Sequence, residues 1–290
     1  MRYCSYRPVG LLEEFVDFFW MIAGGEVDRK ERILPNGASE LVINLSTDEI
    51  RIYDSIEPER YRRLSGAVLS GTYSGVFICD ATQHQCMLGV HFRPGGAFPF
   101  IGAPATELTD AHVNLEDLWG SPARLLQERL RAATTVRKRF QLLEEALLEH
   151  LRLTQRRHHA IEAAIRRLAP AGTVSSTRGL AQELGLSQRR FIQLFAIHAG
   201  LTPKLLCRIL RFQRARTLAE AAERSSLRRL ERQPSRGEID WAEIALACGY
   251  YDQSHLVKDF QNLAGLSPGE YIRKLRSARN LKENHLPATG

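Results

Sequence analysis

Two short stretches in the second half of the chain carry side chains that can hydrogen-bond to the edges of DNA bases. Arg189 and Gln193 are four residues apart, so a helix would place both on one face. Arginine pairs with O6 and N7 of guanine, and glutamine pairs with N6 and N7 of adenine, which is the chemistry of reading bases in the major groove. A second set of polar residues follows further along: Gln253, Ser254, His255 and Lys258.

An internal repeat places both sets in equivalent positions. The tetrapeptide Gly200-Leu201-Thr202-Pro203 recurs 65 residues later as Gly265-Leu266-Ser267-Pro268. In front of each copy stands the same order of residue types, an alanine, then a glycine, then large apolar residues at helical spacing: Ala181, Gly185, Phe191 and Phe195 in the first, and Ala245, Gly249, Leu256 and Phe260 in the second. This pattern predicts two helix-turn-helix units, at about 174–198 and 239–263.

Capping residues indicate where the helices of each unit begin. In the first unit Ser176 or Thr177 suits the start of the first helix, and Ser187 the start of the second. Asp240 and Asp252 suit the same positions in the second unit. Because the N-terminal residues of the second helix enter the groove in this motif, the predicted base readers lie there. They are Gln188, Arg189, Ile192, Gln193, Gln253, Ser254, His255 and Lys258; the alternative for each is a solvated surface side chain.

A helix that begins at Thr202-Pro203 is expected to join the two units. Its apolar periodicity continues to about Glu223, which corresponds to roughly 30 Å and is close to the ~34 Å of one DNA turn. Arg208 and Arg211 on this helix would contact phosphate, which gives affinity but no sequence choice. The Arg-rich segment 224–238 that follows is expected to be a basic loop, with a disordered insertion as the alternative.

The charge of the chain divides between its two halves. Residues 1–150 contain 16 Lys and Arg against 21 Asp and Glu, whereas the remaining residues contain 24 against 12. A basic segment joined to an acidic one is typical of a nucleic-acid-binding domain attached to a domain with another task. We predict one domain at 1–153 and a DNA-binding domain at 158–278, joined at the polar, basic segment 154–159.

The first half has a mixed pattern. Apolar residues at helical spacing predict a helix over 8–21, and short β-rich runs at 40–45, 50–53, 67–69, 75–79 and 86–92 predict an antiparallel sheet or small barrel. Beyond Ile101 the spacing becomes helical again, at 114–119, 121–131 and 135–153. These helices are candidates for a dimer interface. The expected fold is therefore an α+β domain followed by an all-α domain.

Cysteine usage and hydropathy suit a cytoplasmic protein. The five cysteines are scattered, which favours reduced thiols over a disulfide framework. No apolar run approaches the ~20 residues of a membrane helix. We expect the protein in the cytoplasm, at the nucleoid when bound, and no membrane partner.

The segment from Ala181 to Tyr271 resembles the DNA-binding domain of the AraC/XylS family of bacterial transcription regulators, and with the preceding helix the resemblance covers about 110 of the 290 residues. The second unit matches with the most specific motif: Ile244-Ala245-x2-Cys248-Gly249-Tyr250-x2-Gln253-Ser254-x-Leu256-x3-Phe260, followed by Gly265-Leu266-Ser267-Pro268-Gly269-Glu270-Tyr271. The resemblance implies two helix-turn-helix units joined by a linker helix, with base-reading positions among the residues named above. It implies double-stranded DNA as partner, and RNA polymerase as a further one.

The first half is similar to an N-terminal domain attached to some members of the same family. The similarity depends on Leu34-Pro35-Asn36-Gly37, Gly89-Val90-x-Phe92-Arg93-Pro94-Gly95-Gly96 and Ala105-x-Glu107-Leu108-Thr109-Asp110. It implies a sensory or dimerising module with a cupin-like shape, acting as a homodimer and binding a small effector. Four polar residues near strand ends are candidate effector contacts, with a structural hydrogen-bonding role as the alternative: Asn36, Glu40, His91 and Arg93.

An enzyme is the competing class of protein. A metal-dependent cupin-like enzyme domain would need clustered ligands, and only His84, Cys86 and His91 are close in sequence. They lack a His-x-His pair with a following carboxylate, and alternation along a strand would put position 91 on the face opposite to 84 and 86. An architectural DNA binder is the third class. We therefore predict a sequence-specific, AraC-type transcription regulator that is not an enzyme and holds no cofactor or metal; activation and repression are left open.

Overall fold

The computed structural model describes residues 2–24, 30–54, 57, 59–80, 85–151, 158–171, 176–230, 239–277 and 285–287. The strands are β1 (Arg2–Tyr6), β2 (Val16–Ala23), β3 (Lys30–Ile33), β4 (Glu40–Asn44), β5 (Glu49–Tyr53), β6 (Tyr61–Ser65), β7 (Ala67–Ser70), β8 (Phe77–Asp80), β9 (Cys86–Phe92), β10 (His112–Asn114) and β11 (His285–Pro287). The helices are α1 (Phe98–Ile101), α2 (Leu115–Trp119), α3 (Ser121–Ala132), α4 (Val136–His150), α5 (His159–Ala171), α6 (Thr177–Glu183), α7 (Gln188–Ala199), α8 (Pro203–Leu230), α9 (Trp241–Ala247), α10 (Gln253–Ala264) and α11 (Pro268–Ser277).

Two antiparallel sheets form the N-terminal domain, and the short strand β11, which follows the helical region in the chain, adds to the edge of the second sheet. The first has the strand order β1-β2-β9-β4-β7-β10, and the second has the order β11-β3-β8-β5-β6. Within the described residues the sheets do not close into a barrel. The predicted order of a domain rich in antiparallel sheet followed by a helical region is confirmed, and open sheets replace the cupin-like barrel.

The N-terminal domain has three layers. Helices α3 and α4 pack on one face of the first sheet, around Leu130, Leu143 and Leu147, all of which are fully buried. The second sheet packs on the other face, where Trp20 and Met87 meet Ile50. The first sheet is therefore covered on both faces.

This double burial explains why the helix predicted over 8–21 is wrong. The structure has a short 3-10 helix at Gly10–Glu14 and then the strand β2, which pairs with both β1 and β9. A strand with two buried faces is a continuous apolar run, and such a run also satisfies helical spacing. The strand predicted at 86–92 is β9 with the same ends, and the strands predicted at 40–45, 50–53, 67–69 and 75–79 are present with ends shifted by one or two residues. The strands β1, β3, β6, β10 and β11 were not predicted.

The two predicted helix-turn-helix units are α6 with α7 and α9 with α10. Each of the four helices begins at the expected cap, since Ser176, Ser187, Asp240 and Asp252 accept hydrogen bonds from backbone amides in the following turn. Phe191, Phe195 and Phe260 are completely buried in one core shared with α5 and α8. The predicted inward faces of these helices are thus confirmed.

Helix α8 is longer than predicted. It continues beyond Glu223 to Leu230, so the first part of the Arg-rich segment is helical and not a loop. Arg224 lies 3.7 Å from the Glu220 carboxylate one turn earlier, and the nearest helix-breaking residue is Pro234. Residues 231–238 lie outside the described part of the chain, as do 152–157 of the predicted linker. The domain boundaries 1–153 and 158–278 stay a prediction.

Candidate nucleic-acid interface

The first candidate reading surface is the N-terminal half of α7. Ser187 Oγ accepts a hydrogen bond from the Arg190 amide at 3.3 Å and fixes the start of the helix. Gln188, Arg189 and Gln193 are exposed, and Gln193 Oε1 accepts a hydrogen bond from Arg190 at 3.3 Å. Ile192 is half-buried against the core, which limits it to a contact by the edge of its side chain.

The second candidate reading surface is the N-terminal half of α10. Asp252 Oδ1 accepts a hydrogen bond from the His255 amide at 2.7 Å, so the cap is tighter than the one on α7. The side chains predicted to read bases are all exposed: Gln253, Ser254, His255 and Lys258. The His255 ring stands edge-on to Tyr250 with 5.2 Å between centroids, which orients its imidazole.

Both linker-helix arginines predicted to contact phosphate have partners inside the protein. Arg208 Nε donates to Asp259 Oδ1 of α10 at 2.5 Å, and Asp259 is 2% exposed. The Arg211 guanidinium lies 5.1 Å from the centroid of the Tyr250 ring. Burial raises the pKa of the Tyr250 hydroxyl, and the neighbouring Asp259 charge adds to that shift. These contacts fix α10 on α8.

A second polar cluster fixes α11 on the far part of α8. Arg276 donates to both carboxylate oxygens of Glu223, at 2.6 and 2.7 Å, and Glu223 is 4% exposed. The Tyr271 hydroxyl donates to Glu220, which also faces Arg216 at 3.5 Å. A paired bidentate arginine is more directional than a lysine contact, so the orientation of α11 is well defined.

The N-terminal domain contacts the first copy of the repeated tetrapeptide. Thr109 Oγ1 donates to the Gly200 carbonyl at 2.6 Å. Gly200 has φ = 73°, and a Cβ at this position would overlap the Thr72 hydroxyl. Two residues before Gly200, the ring of His198 lies 4.2 Å from the ring of Phe98, measured between centroids. The C-terminal end of α7 is therefore held against the N-terminal domain.

The same domain contacts the second copy. Gly265 has φ = 67°, and a Cβ built there would lie 3.3 Å from Arg32 Nη1 and 3.6 Å from Val76. Between the two copies, Gln213 Nε2 of α8 donates to the Pro35 carbonyl at 2.5 Å, and Leu34 is buried in the core of the helical region. The second helix of each unit, α7 or α10, has 12 residues. Its C-terminal end thus lies on the N-terminal domain, and its capped N-terminal end lies about 18 Å away.

The four candidate effector residues do not converge on one site. Asn36 Oδ1 accepts from the Ala38 amide at 2.9 Å, and Arg93 Nε donates to the Glu13 carbonyl at 2.9 Å. His91 stacks on Phe18 at 4.7 Å, and its Nδ1 is 3.8 Å from Glu40. Glu40 accepts from Trp20 Nε1 at 2.6 Å and lines a cavity between the sheets. Their role in effector binding stays a prediction.

The candidate metal ligands are only partly visible. His84 lies outside the described residues. Cys86 and His91 are on β9, five positions apart, and therefore point to opposite faces of the first sheet. In the described part of the chain no group of three His, Cys, Asp or Glu side chains is placed to hold a metal ion. Across the same residues, no helix is both long and apolar enough to cross a membrane.

Two helix-turn-helix units on one linker helix define a DNA-binding protein of the double helix-turn-helix class. Residues 230–273 match the family model described as bacterial regulatory helix-turn-helix proteins, AraC family. The match covers the second helix-turn-helix unit and the first part of α11, so this unit is similar to those of AraC-type DNA-binding regulators. Residues 5–114 of that domain match a domain of unknown function, DUF6597.

Solved structures of ToxT from Vibrio cholerae are similar to the chain. A crystal structure of ToxT from strain O395 is 11% identical, with a TM-score of 0.44, and the match covers 88% of this chain and 97% of that one. Unsaturated-fatty-acid-bound wild-type ToxT from strain SCE256 is 12% identical, with a TM-score of 0.43 and coverage of 88% and 94%. No curated protein matches the sequence.

Sequence reasoning missed the residues that join the two parts of the molecule. Thr72, Thr109 and Arg32 contact the glycine turns, but no sequence pattern indicates these contacts. It also missed His112, which is 6% exposed and lines the cavity between the sheets. The only local signal was the position of Thr109 inside a motif of the family resemblance.

Proposed function

We propose that this regulator binds one asymmetric DNA site through the N-terminal ends of α7 and α10, placed in successive major-groove segments. The supporting observation is that both ends are exposed, capped and polar, while both opposite ends pack against the N-terminal domain. Residues 203–223 of α8 span about 31 Å, close to the ~34 Å of one DNA turn. A mostly rigid support of that length suits two reading helices on one side of the duplex.

The base readers proposed here are the exposed polar residues of both helices. Arg189 suits guanine, and Gln188, Gln193 and Gln253 suit adenine, because each can present two hydrogen-bonding groups to a base edge. Ile192 offers only an apolar contact to a thymine methyl group. Ser254, His255 and Lys258 complete a second surface with different chemistry, so the two half-sites differ in sequence.

Arg208 and Arg211 are proposed phosphate contacts. The Arg208 side chain is 35% exposed while its Nε pairs with Asp259, which leaves its terminal nitrogens for a phosphate. Such contacts raise affinity for every sequence and make binding sensitive to salt.

The N-terminal domain is proposed to modulate DNA binding in response to a small effector. Its contacts with the glycine turns after both reading helices support this, because a shift of the domain would change the relative position of those helices. Homodimerisation and contact with RNA polymerase stay predictions; Leu125 and Leu148 on α3 and α4 are exposed apolar residues on the helices predicted to mediate dimerisation.

The test is binding to DNA selected from a random library, followed by fluorescence anisotropy at fixed salt. We expect Arg189→Ala and Gln253→Ala each to lose about 1 to 3 kcal/mol of preference at particular base pairs. Arg211→Ala is expected to weaken all sequences alike and to reduce the salt slope by about 1.

Two control variants match the charge and the helix. Arg166→Ala removes an exposed arginine of α5 that pairs with Glu162, and Gln261→Ala removes an exposed glutamine at the other end of α10. Both are expected to keep the discrimination of the wild-type protein. Full discrimination in Arg189→Ala and Gln253→Ala would show that the assignment of the reading surfaces is wrong.

A further inference from the structure

A cavity of about 60 Å³ lies between the two sheets of the N-terminal domain. A buried water needs roughly 10 to 15 Å³ by the same measure, so the space holds an organic molecule of about five non-hydrogen atoms. Its wall is mainly aliphatic and aromatic, with Val42, Ile52 and Phe77 among the lining residues. The polar groups at the wall include Ser70 and His112.

His112 lines this cavity and has one buried ring nitrogen without a hydrogen-bond partner in the described part of the chain. Its Nδ1 lies 2.8 Å from Ser70 Oγ, and its Nε2 is buried without a hydrogen-bond partner in the described part of the chain. Burial, with the nearby Arg62 charge, lowers the pKa of His112 to about 3, so the ring is neutral at physiological pH. A buried polar atom without a partner costs free energy, and a bound molecule that hydrogen-bonds to it recovers that cost.

The charges at the wall select against anions. Glu40 and Asp80 are carboxylates, whereas Arg51 is the cation that lines the same space and already pairs with Glu49 and Asp80. A carboxylate ligand would meet an excess of negative charge in a poorly solvated site. We propose that this cavity binds a small, uncharged, largely apolar molecule through one hydroxyl or carbonyl group at His112.

The cavity is connected to the first glycine turn by a short hydrogen-bonded ladder. His112 pairs with Ser70, and the ladder continues as Gly71 N to Ala111 O at 2.9 Å and Asp110 N to Thr72 O at 3.0 Å. The next residues, Thr72 and Thr109, are those that contact Gly200. A Cβ at Gly71 would overlap the Leu108 carbonyl, so the segments around residues 71 and 108 are in close contact. We expect them to move together.

The cavity is connected to the second glycine turn by the other sheet. Ile33 and Phe77, which are paired residues of β3 and β8, line the cavity. The residues directly before them in the chain, Arg32 and Val76, are the ones beside Gly265. A molecule that moves the walls apart therefore displaces the supports of both reading helices. This regulatory role depends on the proposed function, whereas binding to the cavity does not.

The binding test uses isobutanol, isobutyrate and isobutylammonium as matched neutral, anionic and cationic probes. The imidazole resonances of His112 in the full chain are followed by NMR, with assignment from His112→Phe. We expect isobutanol to shift them saturably, and we expect isobutyrate and isobutylammonium each to bind at least tenfold more weakly, because either charge would lose its hydration in the cavity. Ile52→Trp, which fills the cavity from a half-buried position, is expected to abolish the response.

Two results would overturn the site. One is the absence of a saturable shift with isobutanol in a wild-type protein whose amide spectrum is that of a folded chain. The other is equal affinity for isobutanol in the wild-type, His112→Phe and Ile52→Trp proteins, measured from backbone amide shifts because His112→Phe has no imidazole at this position. If Ile52→Trp does not fold, the comparison between the wild-type protein and His112→Phe still decides whether the site exists.

The coupling test measures binding of the selected DNA with and without saturating isobutanol. We expect at least a threefold change in Kd for the wild-type protein and a smaller change for Thr109→Val, which keeps the side-chain shape and loses the hydrogen bond to Gly200 while the contacts at Gly265 remain. An unchanged Kd in the wild-type protein would overturn the coupling. Failure to select any DNA sequence would contradict the proposed function and leave the NMR result standing.

Discussion

Protonation of His112 is expected to destabilise the N-terminal domain at mildly acidic pH. The pKa of this residue falls from an ordinary value of about 6.5 in the unfolded chain to about 3 in the folded protein. Below pH 6.5 the unfolded chain binds a proton that the folded protein does not bind. The contribution of His112 to the free energy of unfolding is therefore fully present above about pH 6.5 and decreases as the pH falls below that value.

The expected magnitude follows from the two pKa values. Between pH 7 and pH 5 the His112 contribution decreases by about 2 kcal/mol, at 1.36 kcal/mol for each pH unit below 6.5. Because the pKa in the folded protein lies well below 5, the loss at pH 5 depends almost entirely on the unfolded value.

The assay is urea unfolding at pH 7 and at pH 5 for the wild-type and His112→Phe proteins. Trp241→Phe in both proteins restricts the fluorescence signal to Trp20 and Trp119 of the N-terminal domain. Other titrating groups are common to both proteins and cancel in the difference between the two pH values. An equal loss of stability in both proteins, within about 0.5 kcal/mol, would refute a neutral, buried His112.

Two further predictions concern the support of the reading helices. Asp259→Ala should lower the free energy of unfolding by about 2 to 3 kcal/mol because Arg208 loses its buried partner, and Arg208→Met combined with Asp259→Leu should recover much of it; additive effects in urea unfolding would contradict the pairing. Gly200→Ala should lower the free energy of unfolding more than Gly185→Ala does. Both glycines have positive φ, so each substitution costs about 1 to 2 kcal/mol of backbone strain, but only Gly200 packs against Thr72. Equal melting temperatures of the two variants would show that the contact with Thr72 contributes nothing.

The helix-turn-helix units could be predicted from sequence because their determinants are local. Ser187 and Asp252 cap the next turn of their own helices, and Gly200 and Gly265 end theirs in the left-handed conformation. Burial of Phe191 and Phe260 follows from spacing along one helix. The reading surfaces are the faces that remain.

The N-terminal domain was harder to predict because its determinants are distant in sequence. Strand β2 is buried by a sheet on one face and by helices on the other, so its apolar run does not distinguish a strand from a helix. Ser70 and His112 are 42 residues apart, and nothing in either segment indicates that they meet. The partners of Arg208 and Arg211 were also hidden, because a surface helix pattern does not show which arginines face a neighbouring carboxylate or ring.

The difference between the exposed side chains of α7 and α10 gives the bound regulator a direction along the promoter. Arg189 precedes a glutamine on one helix, while a serine, a histidine and a lysine follow a glutamine on the other. On the proposed function, inverting the site in a promoter would rotate the whole molecule by half a turn about the duplex dyad. The unit that carries α7 and the unit that carries α10 would then exchange places relative to the transcription start, and the effect on the neighbouring gene would change while the affinity for DNA stayed the same.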